Sequence, residues 1–198
     1  IGGYSLNYHK HIHTGEGGII VTNEDNLAER LKLIRNHAEV IVEGKGEKKL
    51  NNMIRYNFRL GEIESAIGIE KLKKLKKFAQ SRERIGKRLS DGLSNLKGLK
   101  TPVVKRECSH VYYIYPIVLD IEMLGCSKFK IAEALRAEGV ELATSYQNIH
   151  LIPMYQKKIA YGSKGFPWNS EFARKNINYS KGICPVAERL NDETYLGF

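Results

Sequence analysis

From Ile63 to Leu96 the apolar residues recur at helical spacing: Ile63 and Ile67, then Leu72, Leu75 and Ala79, then Ile85, Leu89, Leu93 and Leu96. Residues spaced by three and four positions lie on one side of an α-helix, so the pattern predicts a single long helix from about Gly61 to Leu96. Gly86 and Gly92 interrupt it and predict a bend or break, because glycine weakens a helix interior. The lysine cluster Lys71 to Lys77 (KLKKLKK) is expected on the solvent side of the stripe. Such a helix bridges two halves, a boundary is set near residue 98, and the expected domains are 1–98 and 99–198.

Ahead of the helix, Gly17 to Thr22 (GGIIVT) reads as a short buried strand. Asn23 then suits the N-cap of a helix through Leu27, Leu31 and Ile34. Residues 41–53 are polar and rich in glycine and lysine, the pattern of a mobile surface loop. Beyond Gly98, a strand is expected over Tyr112 to Asp120 and a helix over Ser127 to Glu138, carrying Ile131, Ala134 and Leu135. A further strand (Gly139 to Thr144) and a further helix (Asn169 to Ser180) complete the pattern. Strands alternating with helices define an α/β class.

Of the 198 residues, 42% are hydrophobic and 27% charged, an ordinary folded composition. No run approaches the roughly 20 apolar residues of a membrane span, and IGGYSLNYHKH at the N-terminus is not a signal peptide. The chain opens without Met on strand-like sequence and closes on ETYLGF, and it is expected to be a piece of a longer protein. The three cysteines, Cys108, Cys126 and Cys184, form no C-x-x-C pair, which favours a reducing, cytoplasmic setting. A net charge of +10 attracts anions of several kinds. A basic module binding nucleic acid or a partner through Lys71 to Lys77 and the 41–53 loop is the competing class. Over residues 69–77 the apolar residues among the lysines are only isoleucine and leucine, without the aromatic or arginine groups that read bases, and this counts against it.

Functional side chains are densest from Tyr4 to Gly18, YSLNYHKHIHTGEGG. On a strand, His9, His11 and His13 would share one face, and a row of three imidazoles could ligate a transition metal. Three nitrogens in a row converge poorly on one ion and no carboxylate follows at ligand spacing, so no metal is expected. Lys10 would face the other way. A lysine beside cationic-capable groups and partly desolvated becomes a nucleophile towards aldehydes, the requirement for a Schiff-base residue. Ser5 is a hydroxyl suited to a phosphate oxygen, and Gly15 to Gly18 permit a tight turn.

The spacing Ser5, Lys10, then Thr14 to Gly18 (S-x-x-x-x-K-x-x-x-T-G-E-G-G) resembles the lysine motif of the DegT/DnrJ/EryC1/StrS family of sugar aminotransferases, which depend on pyridoxal 5'-phosphate (PLP). RYNFRLGEIESAIG, Arg55 to Gly68, is similar to a second family motif, departing at Arg55, Leu60 and Ser65. HVYYIYPIVLD (His110 to Asp120) and PVAERLNDE (Pro185 to Glu193) resemble the family's small-domain strand and late helix. The family also has a dehydratase branch with histidine at the lysine position; here the TGEGG register places Lys10 there.

The resemblance implies part of a fold-type-I aminotransferase: the remnant of a large-domain sheet, a long bridging helix and a small, incomplete C-terminal α/β domain. It implies Lys10 as the Schiff-base residue, Ser5 as a phosphate contact, and Asn57 reaching the phosphate of a neighbouring subunit's cofactor in a homodimer. Arg59 is expected at phosphate or substrate, or as a salt bridge holding its loop, and His150 and Tyr146 near the sugar, with a structural hydrogen bond the alternative for His150. The implied reaction moves an amino group from a donor such as glutamate to a nucleotide-linked keto-sugar, with no nucleic acid and no membrane as partner. The 198 residues alone are expected to be inactive, because other cofactor contacts of the family would lie upstream.

Overall fold

The computed structural model describes residues 1–37 and 56–198; the loop expected at 41–53 and the motif residue Arg55 lie outside the described residues. Two compact units are present, Ile1–Arg82 and Glu83–Phe198.

In the first unit, β1 (Gly2–Ser5) pairs antiparallel with β2 (Gly18–Val21), Gly2 opposite Val21 and Ser5 opposite Gly18. Contrary to the buried strand expected from its β-branched sequence, β2 exposes Ile20 by 57%. Its sole pairing partner among the described elements is β1, and a two-stranded ribbon covers neither of its own faces. Helix α1 (Asp25–Arg35) starts after Glu24 instead of Asn23, and the Thr22 hydroxyl accepts the Glu24 N–H at 3.1 Å. The chain returns antiparallel along the end of α1: Tyr56 N–H donates to Ile34 O (2.9 Å) and Phe58 N–H to Arg35 O (2.9 Å).

Helix α2 (Glu62–Leu93) then runs without interruption, so neither Gly86 nor Gly92 breaks it. The boundary between the compact units falls within this helix, and the sequence boundary near 98 falls just after it. Much of its apolar stripe is left open by the described residues, with Ile63 76%, Leu72 62% and Ile85 58% exposed, while Leu93 packs against the core of the second unit.

The second unit is built on a three-stranded antiparallel sheet, β3 (Leu99–Lys100), β4 (Pro116–Leu119) and β5 (Tyr195–Gly197), with β4 central. Short helices α3 (Ile121–Leu124), α4 (Lys128–Ala137), α5 (Pro153–Lys157) and α6 (Pro185–Arg189) complete it, α6 passing into a π-helical turn over Leu190–Thr194. Helix α4 matches expectation: the Ser127 side chain caps it by accepting the Lys130 N–H. Tyr112, Tyr115, Ile117, Leu119, Ala132 and Leu196 form the buried core. The strand expected from Tyr112 is shorter: Tyr112 adopts a left-handed φ of 48°, and pairing begins only at Tyr115, which exchanges backbone hydrogen bonds with Phe198 at 2.9 and 3.1 Å. Gly139 to Thr144 is likewise not a strand; only Ala143 bridges β5, exchanging both backbone hydrogen bonds with Gly197 at 2.8 and 2.9 Å. No helix forms over residues 169–180, where turns alternate with side-chain-to-backbone bonds such as Asn169 Nδ2 to Lys164 O at 2.7 Å.

Candidate active site

Lys10 lies on the loop joining β1 to β2, and backbone bonds close the base of that loop. Leu6 N–H donates to Gly17 O (2.9 Å) and Thr14 N–H to Leu6 O (3.0 Å), with Leu6 and Thr14 both buried. Gly17 has a φ of 149°, and a Cβ there would stand 3.0 Å from Leu60 Cδ1 and 3.1 Å from Thr14 Oγ1, so the close approach depends on glycine. Glu16 then latches the loop from both sides. Asn7 Nδ2 donates to its carboxylate at 2.8 Å, and the Thr14 hydroxyl to its carbonyl at 2.9 Å.

Within the loop the chain turns; it does not extend as a strand. Asn7 Oδ1 accepts the His9 N–H (3.1 Å) and Asn7 O the Lys10 N–H (2.9 Å), a local side-chain-assisted turn. The alternation that would have lined His9, His11 and His13 along one face therefore does not exist. Instead His9 packs on Tyr8 with ring centroids 3.8 Å apart, while His13 Nε2 accepts a hydrogen bond from Lys71 Nζ at 3.1 Å. Lys71, first of the lysine cluster, is thus engaged with the loop and is not on a purely solvated face. Among the described residues no group of three or more His, Cys, Asp or Glu side chains gathers to hold a metal ion.

Ser5 ends β1 and is exposed. Its Oγ accepts the Asn7 N–H at 3.2 Å, which leaves the hydroxyl proton available for an anionic oxygen. Lys10 is half-buried. A hydroxyl donor and an amine on one anchored loop fit a ligand that carries both a phosphate and an aldehyde. Asn57 bridges Asn36 through the backbone, while Arg59 Nη1 donates to Asn36 Oδ1 at 2.7 Å. Among the described residues, Arg59 is thus held by a neutral acceptor at the end of α1. Tyr56 and Phe58 stack at 4.7 Å on either side of Asn57 in sequence.

In the second unit, His150 Nε2 contacts Glu188 Oε1 at 2.8 Å, both side chains almost wholly buried. Glu188 also accepts the Gly182 N–H through both oxygens (2.8 Å each) and the Cys184 N–H at 3.2 Å. Burial pushes its carboxyl up, but the Gly182, His150 and Cys184 donors outweigh this and hold it below the usual carboxylate range. Tyr146 is 66% exposed; burial first, and then the charge of the Tyr146 phenolate, push the Tyr195 phenol up. Neither Glu188 nor the buried Lys128 was singled out by sequence reasoning. Lys128 Nζ donates to Thr144 O at 2.6 Å and to Asn191 O, and burial lowers its pKa against the pull of Asp192 and Glu193. No periodicity marks a buried lysine, since lysine is normally a surface residue; a glutamate in the P-V-A-E-R run carried no signal of its own.

The sequence matches the DegT/DnrJ/EryC1/StrS aminotransferase family over residues 1–194. The chain belongs to that family. It is 34% identical over 167 residues to the UDP-4-amino-4,6-dideoxy-N-acetyl-beta-L-altrosamine transaminase of Helicobacter pylori, covering 79% of this chain and 43% of that protein. Among solved structures, Helicobacter pylori PseC, an aminotransferase involved in the biosynthesis of pseudoaminic acid, superposes with a TM-score of 0.66 at 28% identity, over 82% of this chain and 43% of its own. A DegT DnrJ EryC1 StrS aminotransferase from Brucella abortus gives 0.71 at 25% identity over 99% and 44%. The chain thus spans less than half the length of these relatives.

Proposed function

We propose that this chain carries the cofactor lysine of a PLP-dependent aminotransferase that aminates a nucleotide-linked keto-sugar, in the making of amino sugars for surface polysaccharide or glycoconjugates. The observation that supports this most is Lys10 on a loop pinned by Leu6, Thr14, Glu16 and Gly17, with the Ser5 hydroxyl at its mouth, in a chain of this family.

Bound PLP would supply the aldehyde and an electron-withdrawing ring. Lys10 Nζ would hold that aldehyde and, when free, would carry the proton from the carbon of the donor to the carbon of the group that receives the nitrogen. Ser5 Oγ would donate to the phosphate, and Asn57 would serve the phosphate of a partner subunit's cofactor in a homodimer. Arg59 is oriented by Asn36 for an anionic group, and His150 and Tyr146 contribute sugar contacts. Glutamate is the donor expected, and the three free cysteines suit a reducing cytoplasm.

Borohydride trapping with PLP, followed by peptide mapping of the holoenzyme, tests the reading. A phosphopyridoxyl group on Lys10, lost in Lys10→Ala, is the expected result. Labelling confined to other lysines would dismiss the assignment.

A further inference from the structure

Helix α2 and the residues leading into it run along the second limb of the Lys10 loop. A Cβ on Gly17 would stand 3.0 Å from Leu60 Cδ1, and one on Gly68 would stand 3.2 Å from Thr14 Cγ2. Three positions beyond Gly68, and so on the same side of the helix, Lys71 Nζ donates to His13 Nε2 at 3.1 Å. The contacts thus advance towards α2 as they retreat along the loop, from Gly17 to Thr14 to His13. His13 falls inside the span that the Glu16 latch closes, between Asn7 and Thr14, on the side of Lys10. Lys71 is half-buried, unlike Lys73, Lys74, Lys76 and Lys77, which are exposed. A lysine head held by a ring gives up strong hydration and the freedom of its stem, and it can only donate. The other ring nitrogen, His13 Nδ1, is buried without a partner among the described residues. Among those residues Lys71 is therefore the polar hold on the imidazole.

We infer that Lys71 is a positioning residue for Lys10: through His13 it fastens the loop to a 32-residue helix and so sets where the Lys10 amine stands towards an aldehyde. This rests on the proposed aminotransferase reading and deepens it. A reacting group on a loop is placed less sharply than one on a helix unless its support is rigid, and reaction depends on that placement. The Glu16 latch ties the loop to itself; Lys71 ties it to α2. In this role Lys71 needs no contact with a ligand, and its effect passes through the imidazole of His13.

The test combines hydrogen exchange with cofactor trapping on the full-length protein, with PLP as the probe. Lys71→Met keeps most of the stem and removes the donor. Amides of residues 7–14 should then exchange about tenfold faster, the loss expected for one hydrogen bond to the loop. PLP added to the cofactor-free protein and fixed with borohydride should label Lys10 about tenfold more slowly, with the unfolding midpoint little changed. Lys76→Met, at an exposed position of the same run, should match the wild type in both measurements. His13→Phe should reproduce the Lys71→Met rates, and the double variant should add nothing further. Wild-type exchange and labelling in Lys71→Met overturn the inference, as do effects that multiply in the double variant. A merely structural lysine would lower the unfolding midpoint while Lys10 is labelled at the wild-type rate, and that result overturns it as well. Should Lys71→Met fail to fold, His13→Phe with wild-type exchange and labelling overturns it equally. Failure of the aminotransferase reading looks different. Lys10 is then unlabelled even in the wild type, which sinks the role towards an aldehyde too, while faster exchange in Lys71→Met tells the two failures apart.

Discussion

The ring of Tyr112 lies against the backbone of Gly86, so closely that a Cβ on residue 86 would stand 2.7 Å from two ring carbons. Helix α2 thereby keeps a glycine as a slot for the aromatic group that opens the core of the second unit. Replacing glycine by alanine inside a helix ordinarily stabilises by up to about 1 kcal/mol. At position 86 the methyl group must displace a buried ring, an overpacking cost of about 1–3 kcal/mol. Gly86→Ala should therefore lower the unfolding midpoint, whereas Gly92→Ala, with nothing within 4 Å of its Cβ, should leave it unchanged or raise it. Thermal unfolding of the two variants side by side checks this, and a stabilised Gly86→Ala would contradict the packing.

Lys128 secures two carbonyls, Thr144 O and Asn191 O, from the first turn of α4. Lys128→Met retains most of the buried stem but strands both acceptors. A loss of about 2–4 kcal/mol follows from two unmet carbonyls, and Lys128→Ala adds a cavity. Urea unfolding should rank wild type above Met above Ala.

Acid should loosen the second unit by way of Glu188 and Asp192. The Gly182, His150 and Cys184 donors hold Glu188 low against its burial, and Asn191 and then Lys181 lower Asp192. For both, the folded chain takes up the proton less readily than the unfolded chain. Their stabilisation is complete above the ordinary carboxylate range near about pH 4 and is lost as pH falls through the depressed folded values. Melting temperatures followed from about pH 6 to pH 3 should fall less steeply in Glu188→Gln than in wild type. Equal slopes would mean that the carboxylate is not held as described.

Ser5→Ala should weaken cofactor binding in the holoenzyme about tenfold, the worth of one hydrogen bond to a charged oxygen. Because Ser5 Oγ also accepts the Asn7 N–H, some stability is lost as well, and Ser5→Thr, which keeps the hydroxyl, should recover affinity. Fluorescence titration with PLP distinguishes the two variants.

Much of the architecture was legible in sequence where the signal was local. Ser127 caps α4 as its side chain allows, and the spacing of Lys10 to Thr14–Gly18 points to the family that the chain matches over residues 1–194. What escaped depends on partners distant in sequence. The histidines alternate on paper, but Asn7 bends their backbone into a turn. Gly139 to Thr144 has strand composition, yet only Ala143 meets an edge of β5. Lys128 and Glu188 are charged residues buried because carbonyls and N–H groups from other segments converge on them, which no periodicity records. The helix expected over residues 169–180 competes with side-chain bonds to backbone that hold turns instead.

The latch at Glu16 bears on how this loop tolerates change. Asn7 and Thr14 are both bonded to one residue, and the stretch between them hangs as a span of set length from a common anchor. Swapping side chains along Tyr8, His9, His11 or Ile12 leaves that span intact. Inserting or deleting a single residue there would leave the anchor closed but carry Lys10 out of step with Ser5. In the diversification of such a loop, chemistry is free to drift while counting is not.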